Sequence, residues 1–158
     1  MAITALAICF GVEAATKRST WSGTVTHVTD GDTLWVKAPG EHGARQIRLD
    51  GIDAPEICQS LGDHSRKALS AKVLGQQVQV HARRTDQYGR LLAKVSLSGQ
   101  DLGDWLVSQG QAWSYHFRRS AGPYAAQEAR ARAMHLGLFA DDKAERPRDF
   151  RKRHGSCH

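Results

Sequence analysis

Of the 158 residues only three are cysteine, four proline and two methionine, and aromatic side chains make up 7%. The cysteines, Cys9, Cys58 and Cys157, form no Cys-x-x-Cys pair. The eight histidines form no His-Glu-x-x-His or comparable cluster, so the usual zinc arrangements are excluded. The Asp-x-Asp-x-Asp-Gly series of an EF-hand is missing as well. No internal repeat or low-complexity tract occurs. The longest apolar run, Met1 to Val12, is too short to span a bilayer.

What is present suits one domain with tails, long enough to bury one ordinary core. The formal net charge of +6 and pI of about 9.5 point to a polyanionic partner. Six of the 22 Lys and Arg lie in residues 143–158 against only two acids, so most of the excess sits in the C-terminal tail. That tail reads either as a solvated, disordered end or as a basic arm that raises affinity for nucleic acid without taking part in chemistry. At the other end, Val12-Glu13-Ala14-Ala15 follows the apolar run with small residues placed for cleavage after Ala14, although a basic leader is missing. Lipidation at Cys9 is disfavoured by Ile8 before it. The expected organisation is a signal peptide over 1–14, a folded domain over 20–140 and a basic tail over 141–158. The product is a periplasmic or secreted monomer with no stable membrane association after processing. Export leaves Cys58 and Cys157, which suggests a disulfide between them; two unrelated thiols is the competing reading.

Strands are expected over Trp21–Thr29, Thr33–Ala38, Ala44–Gly51, Gln77–Thr85 and Arg90–Leu97, from Thr/Val content and alternation. In the third, Arg48 and Asp50 share one face, with Ile47 and Leu49 on the other. Helices are expected over Asp63–Leu74, after Asp101 as a cap, and between Pro123 and Gly137. Five strands with helices after the third and fifth suggest a small β-barrel with helical cover.

Three segments carry the chemistry: Thr29-Asp30-Gly31-Asp32-Thr33, Arg48-Leu49-Asp50-Gly51-Ile52-Asp53-Ala54-Pro55-Glu56 and Asp86-Gln87-Tyr88-Gly89-Arg90. Each has a bland reading. Asp-Gly is ordinary hairpin chemistry, Asp and Glu three apart often cap a helix, and a strand arginine is usually solvated. Taken together they supply three carboxylates and two arginines, the parts for metal-assisted cleavage of a phosphodiester. Carboxylates hold hard cations, and guanidinium groups clamp phosphate oxygens while staying charged.

In order and spacing these segments resemble the staphylococcal nuclease (thermonuclease) family, whose motifs read roughly D-G-D-T, R-L-x-G-I-D-x-P-E and D-x-Y-G-R. The resemblance covers roughly Trp21 to Ala140. It implies an α+β, mainly β fold: a five-stranded OB-type barrel with three helices. It implies a calcium-dependent nuclease acting on DNA and RNA with little sequence specificity. Asp32 and Asp53 would ligate Ca²⁺ through carboxylates and Ala54 through its carbonyl, where the family more often has Thr. Glu56 would hold or activate the attacking water, with Arg48 and Arg90 as phosphate clamps. Tyr88, Trp113 and Tyr115 would contact substrate, Trp113 standing where the family usually has Tyr; buried aromatic core is the competing reading for all three. All-oxygen ligation favours Ca²⁺, Mg²⁺ or Mn²⁺ over zinc, and the family tips the choice to Ca²⁺. The alternative is a non-catalytic OB-type nucleic-acid-binding module, against which the retained Asp32, Arg48, Asp53, Glu56 and Arg90 argue.

Overall fold

A computed structural model describes residues 19–116 and 119–157. The expected signal peptide, residues 1–14, lies outside them. Alternating Val and polar residues form β1 (Thr20–Val28), β2 (Thr33–Lys37), β3 (Arg45–Leu49), β5 (Gln77–Thr85) and β6 (Leu91–Leu97). Antiparallel pairing runs β3-β2-β1-β5-β6, and a parallel β3–β6 ladder closes the ring into a five-stranded barrel. Register shifts between Val25 and His27 in β1 and between Ala82 and Arg84 in β5 supply the extra bend and twist that closure requires. Short pieces complete the sheet structure: β4 (Ile52–Asp53) pairs with β8 (Trp113–Ser114), and β7 (Gln100–Asp101) extends β6.

The barrel is filled by the inward set Val25, Leu34, Val36, Ile47, Leu49, Val78, Val80, Ala93 and Val95. Helix α1 (Gly62–Val73) adds Leu69 and Val73, and α2 (Leu102–Ser108) adds Leu102, Leu106 and Val107. Each fully buried Leu or Val contributes about 1.5–3 kcal/mol relative to exposure. Helix α2 starts where Asp101 accepts from the Gly103 and Asp104 amides. A smaller cluster joins Trp113, Ala131, Leu138 and Phe139.

Among the described residues four α-helices form, against the three expected. Pro123 and Gly137 overstate the third: α3 spans only Ala125–Ala133, and Gly137 opens a separate 3₁₀ turn, Gly137–Ala140. The fourth, α4 (Pro147–His154), lies in the basic tail with Pro147 at its first turn.

Candidate active site

The β1–β2 turn is closed by Asp30, whose Oδ1 accepts from the Asp32 amide at 2.9 Å. This sets Asp32 at the mouth of β2 with its side chain buried. Its Oδ1 accepts from Thr33 Oγ1 at 3.1 Å and its Oδ2 from the Ala54 amide at 3.0 Å. On β3, Arg48 alternates with Ile47 and Leu49 and so leaves the core face. Its Nη2 lies 3.2 Å from Asp32 Oδ2 and 3.0 Å from Asp53 Oδ1, and Asp53 is also buried. Its Nη1 donates to the carbonyls of Leu49 and Ile52 at 3.4 and 3.3 Å. One guanidinium thus ties β2, β3 and β4 together.

The electrostatics follow from two buried carboxylates sharing one cation. Burial, then the charge of Asp32, raises the Asp53 carboxyl above its usual range, against the pull of Arg151 and Arg48. Burial opposes the charge on Arg48, but Asp32 and Asp53 outweigh it and hold the guanidinium more firmly protonated. Desolvation and the neighbouring Asp32 push the Asp30 carboxyl up to about 7.

Two glycines allow this close assembly. A Cβ on Gly31 would sit 2.7 Å from the Cβ atoms of both Ala54 and Ser65, so the Asp30–Asp32 turn packs directly on the carboxylate loop and α1. A Cβ on Gly62 would sit 1.9 Å from the Glu56 carbonyl oxygen, so only glycine lets α1 start against that loop. The loop turns through Gln59 N to Glu56 O at 2.8 Å, and Gln59 Oε1 accepts from the Glu56 amide at 3.2 Å.

Glu56 does not touch Asp32 or Arg48 through any hydrogen bond among the described residues; its partner comes from the tail. Arg151 on α4 donates from Nη1 to Glu56 Oε1 at 2.7 Å and to Asp53 Oδ1 at 3.2 Å, and from Nη2 to Asp53 Oδ1 and Oδ2 at 3.3 and 3.1 Å. The Cys157 amide donates to Glu56 Oε2 at 3.4 Å, and Cys58 and Cys157 form a disulfide with Cα atoms 5.9 Å apart. The reading of the tail as a disordered end is therefore corrected: α4 forms there, and the residue it brings to the carboxylates is Arg151. Sequence reasoning missed it because its place is fixed by contacts 95 and 98 residues away in the chain. The available signals were Pro147 as a helix opener and Cys157 as an anchor beside Cys58.

The remaining expected residues lie apart. Arg90, in the β5–β6 connection, pairs with Asp86 through Nε and Nη2 at 2.9 and 2.8 Å, and its guanidinium stands 5.3 Å from the Tyr88 ring. It reaches none of Asp32, Asp53 or Glu56 by a hydrogen bond. It sits at the start of β6, whose Leu92 is in register with Arg48. Tyr88 is 73% exposed and Tyr115 42% exposed, so both offer faces to a ligand. Tyr115 lines an open cleft of about 410 Å³ with Asp50, Arg83 and Lys94. Trp113 is a correction: it is only 2% exposed, pairs through β8 with Asp53 on β4, and meets the Phe139 ring edge-on at 6.0 Å. It is core beneath the site and has no free face on which a base could stack.

Among the described residues no three His, Cys, Asp or Glu side chains stand close enough to form a metal cluster by themselves. A hard divalent cation that keeps several waters does not need three. Asp32 and Asp53 converge to within 3.2 Å of the single Arg48 Nη2, beside the backbone of Ala54. Arg48 and, at Asp53, Arg151 face these two carboxylates, and the donor set, oxygen throughout, fits Ca²⁺ or Mg²⁺ rather than zinc.

Comparison with known proteins points to one family. The family model for "Staphylococcal nuclease homologue" matches residues 46–141. An "Uncharacterized endonuclease" of Haemophilus influenzae is 33% identical over 150 residues, covering 95% of this chain and 84% of that protein. "Protein ParB" of Escherichia coli is 34% identical over 141 residues, 82% of this chain and 78% of its own. "Micrococcal nuclease" of Shigella flexneri is 34% identical over 143 residues, 82% of this chain and 80% of its own.

Proposed function

The chain belongs to the staphylococcal nuclease homologue family, and from that premise we propose that it is a Ca²⁺-dependent nuclease hydrolysing DNA and RNA with little sequence preference. The observation that carries the proposal is the convergence of buried Asp32 and Asp53 on Arg48, 3.2 and 3.0 Å from its Nη2. Two buried carboxylates and a guanidinium, held together at the end of the barrel strands, supply both the oxygen donors for a hard cation and a fixed charge for a phosphate oxygen.

Asp32, Asp53 and the Ala54 carbonyl would hold Ca²⁺, which when bound supplies charge neutralisation for phosphate oxygens. Arg48 stays charged in its buried setting, so it can donate to a non-bridging phosphate oxygen as negative charge builds there. Arg90, preset by Asp86, is the second candidate donor. Glu56 orients a water and accepts its proton as the water oxygen bonds to phosphorus; the phosphorus–oxygen bond to the leaving nucleotide breaks, and that oxygen takes up a proton. Tyr88 and Tyr115 offer exposed rings to the substrate strand. With no base-reading constellation among these residues, contacts run to phosphate and stacked base, which is sequence-tolerant. The Cys58–Cys157 disulfide supports a periplasmic or secreted location for the proposed monomer.

Digestion of plasmid DNA and of RNA by the purified chain tests the reading, with Ca²⁺, with excess chelator, and with zinc after chelation. Cleavage in Ca²⁺ alone is expected. Full activity in chelator would remove the metal. DNA binding with no cleavage under any metal would replace the nuclease with the binding module.

A further inference from the structure

The nuclease reading assigns Glu56 to the attacking water but does not say what holds its carboxylate still. Among the described residues the barrel gives that carboxylate no hydrogen bond. Both of its oxygens are held by the C-terminal arm: Oε1 by Arg151 Nη1 at 2.7 Å and Oε2 by the Cys157 amide at 3.4 Å. Resting on that reading, we propose that Arg151 is a positioning residue for Glu56, and that the Cys58–Cys157 disulfide keeps it there, so that turnover depends on the oxidised chain.

Three observations carry this. First, the contacts of Arg151 are unequal. Its bond to Glu56 is 2.7 Å, while those to Asp53 are 3.1–3.3 Å. A cation held by Asp53 would compete with the longer contacts rather than with the short one. Second, α4 has little hydrophobic hold of its own. It spans eight residues and buries only Pro147. A helix this short is marginal unless docked. Third, apart from a 3.5 Å contact of Arg146 with Glu128 on α3, its docking points lie on the carboxylate loop: the disulfide from Cys58, Gln59 Nε2 to the Glu145 carbonyl at 2.6 Å, and Arg151 itself. Remove the covalent anchor and Arg151 becomes a guanidinium on a weakly held arm. Reduction by a dithiol passes two electrons and two protons to the bridge, giving two cysteine thiols and a cyclic disulfide of the reagent.

The test uses the full chain and a short single-stranded DNA in Ca²⁺. It measures kcat and KM, DNA binding in chelator, Ca²⁺ affinity by calorimetry, and Tm. Expected is a kcat loss of about 10–100-fold for Arg151→Gln, with KM and DNA affinity each within about threefold and Ca²⁺ affinity kept or tightened, since the contacts to Asp53 go with the guanidinium, and partial recovery of kcat in Arg151→Lys, which keeps a charged donor for Glu56 without the bidentate fork. Dithiol treatment, and separately Cys157→Ser, should lower kcat similarly while Tm stays above the assay temperature. Reduction thereby tests the assignment even if Arg151→Gln does not fold. An unchanged kcat in folded Arg151→Gln would overturn the role. So would a raised kcat with tighter Ca²⁺ binding, which would make Arg151 a competitor of the cation, and so would a raised KM with kcat kept, which would make it a substrate contact. An oxidised wild type that binds Ca²⁺ but cleaves nothing is a different failure: it sinks the nuclease reading, and this role with it.

Discussion

The site is built by two regions in two different ways. On the barrel side, Asp32, Arg48 and Asp53 are placed by strand ladders and by a core of fully buried Leu, Ile and Val. The strand of Arg48 is flanked on both sides, by β2 and β6, and that of Asp53 is paired with β8. On the other side, α4 offers a guanidinium of similar chemistry, but its hold is one disulfide, one glutamine contact and the ion pairs themselves. Arg48 is positioned by burial and Arg151 by tethering. The first kind of placement cannot be undone without unfolding the domain. The second can.

The largest expected effect falls on the barrel side. Arg48→Ala should lower turnover by roughly 10²–10⁵-fold, the range for losing one fixed charge donor at a transition state, measured as single-turnover cleavage at saturating DNA. It also leaves Asp32 and Asp53 buried together without their shared cation, so a lowered Tm in chelator that Ca²⁺ restores should accompany it. A turnover near wild type would mean that the buried pairing is structural only.

Next comes the arm's covalent anchor. Cys58 and Cys157 are 99 positions apart, and closing a loop of that length is worth about 4 kcal/mol or more in the chain-entropy model, although measured values often fall short. Cys157→Ser should therefore lower the denaturant midpoint. Native-state hydrogen exchange should show where the native structure loosens: protection should fall first at α4 and the Glu56–Gln59 turn, while β1, β2 and β5 keep the slowest amides. Equal loosening of barrel and arm would abolish the distinction between them.

The smallest effect concerns the charges of α4 that point away from the site. Arg146 reaches Glu128 at 3.5 Å and Arg151 reaches the carboxylates, so neither belongs in a test of the basic surface. Replacing Arg148, Lys152 and Arg153 by Gln should weaken DNA binding and flatten its salt dependence by about one unit of slope per lost phosphate contact. The saturated cleavage rate should stay nearly unchanged. A large loss of that rate would show that the outer charges also build the site.

The contrast explains what could be read in the sequence. The barrel strands were legible because each carries its own alternation: Ile47 and Leu49 go in, Arg48 comes out, and the pattern is local. Asp32 and Asp53 were legible because turn chemistry brackets them. Trp113 stays open in the sequence between core and substrate contact because its burial depends on β8 finding β4, a two-residue pairing with no periodicity to announce it. Helix α3 was overdrawn because Pro123 and Gly137 are real punctuation, but Gly137 opens the following 3₁₀ turn rather than closing α3. Arg151 was invisible for the opposite reason to Arg48. Its destination is set by Asp53, Glu56 and Cys58 on the far side of the chain, and the nearby Cys157 specifies it only once its partner is known.

The parallel ladder between β3 and β6 has a consequence in time. Antiparallel neighbours can zip from a tight turn, but this pairing joins Ile47 to Leu91 and Leu49 to Ala93, across the intervening α1 and β5. Contacts of such high sequence separation are costly to close and form late in folding. Arg48 sits in the middle of that ladder, opposite Leu92. During synthesis the carboxylates of residues 32 and 53 emerge long before the strand that seals the barrel around their arginine. A half-made chain therefore carries the acidic half of the site without its enclosed form, and the pocket is assembled only when β6 is available to seat against β3.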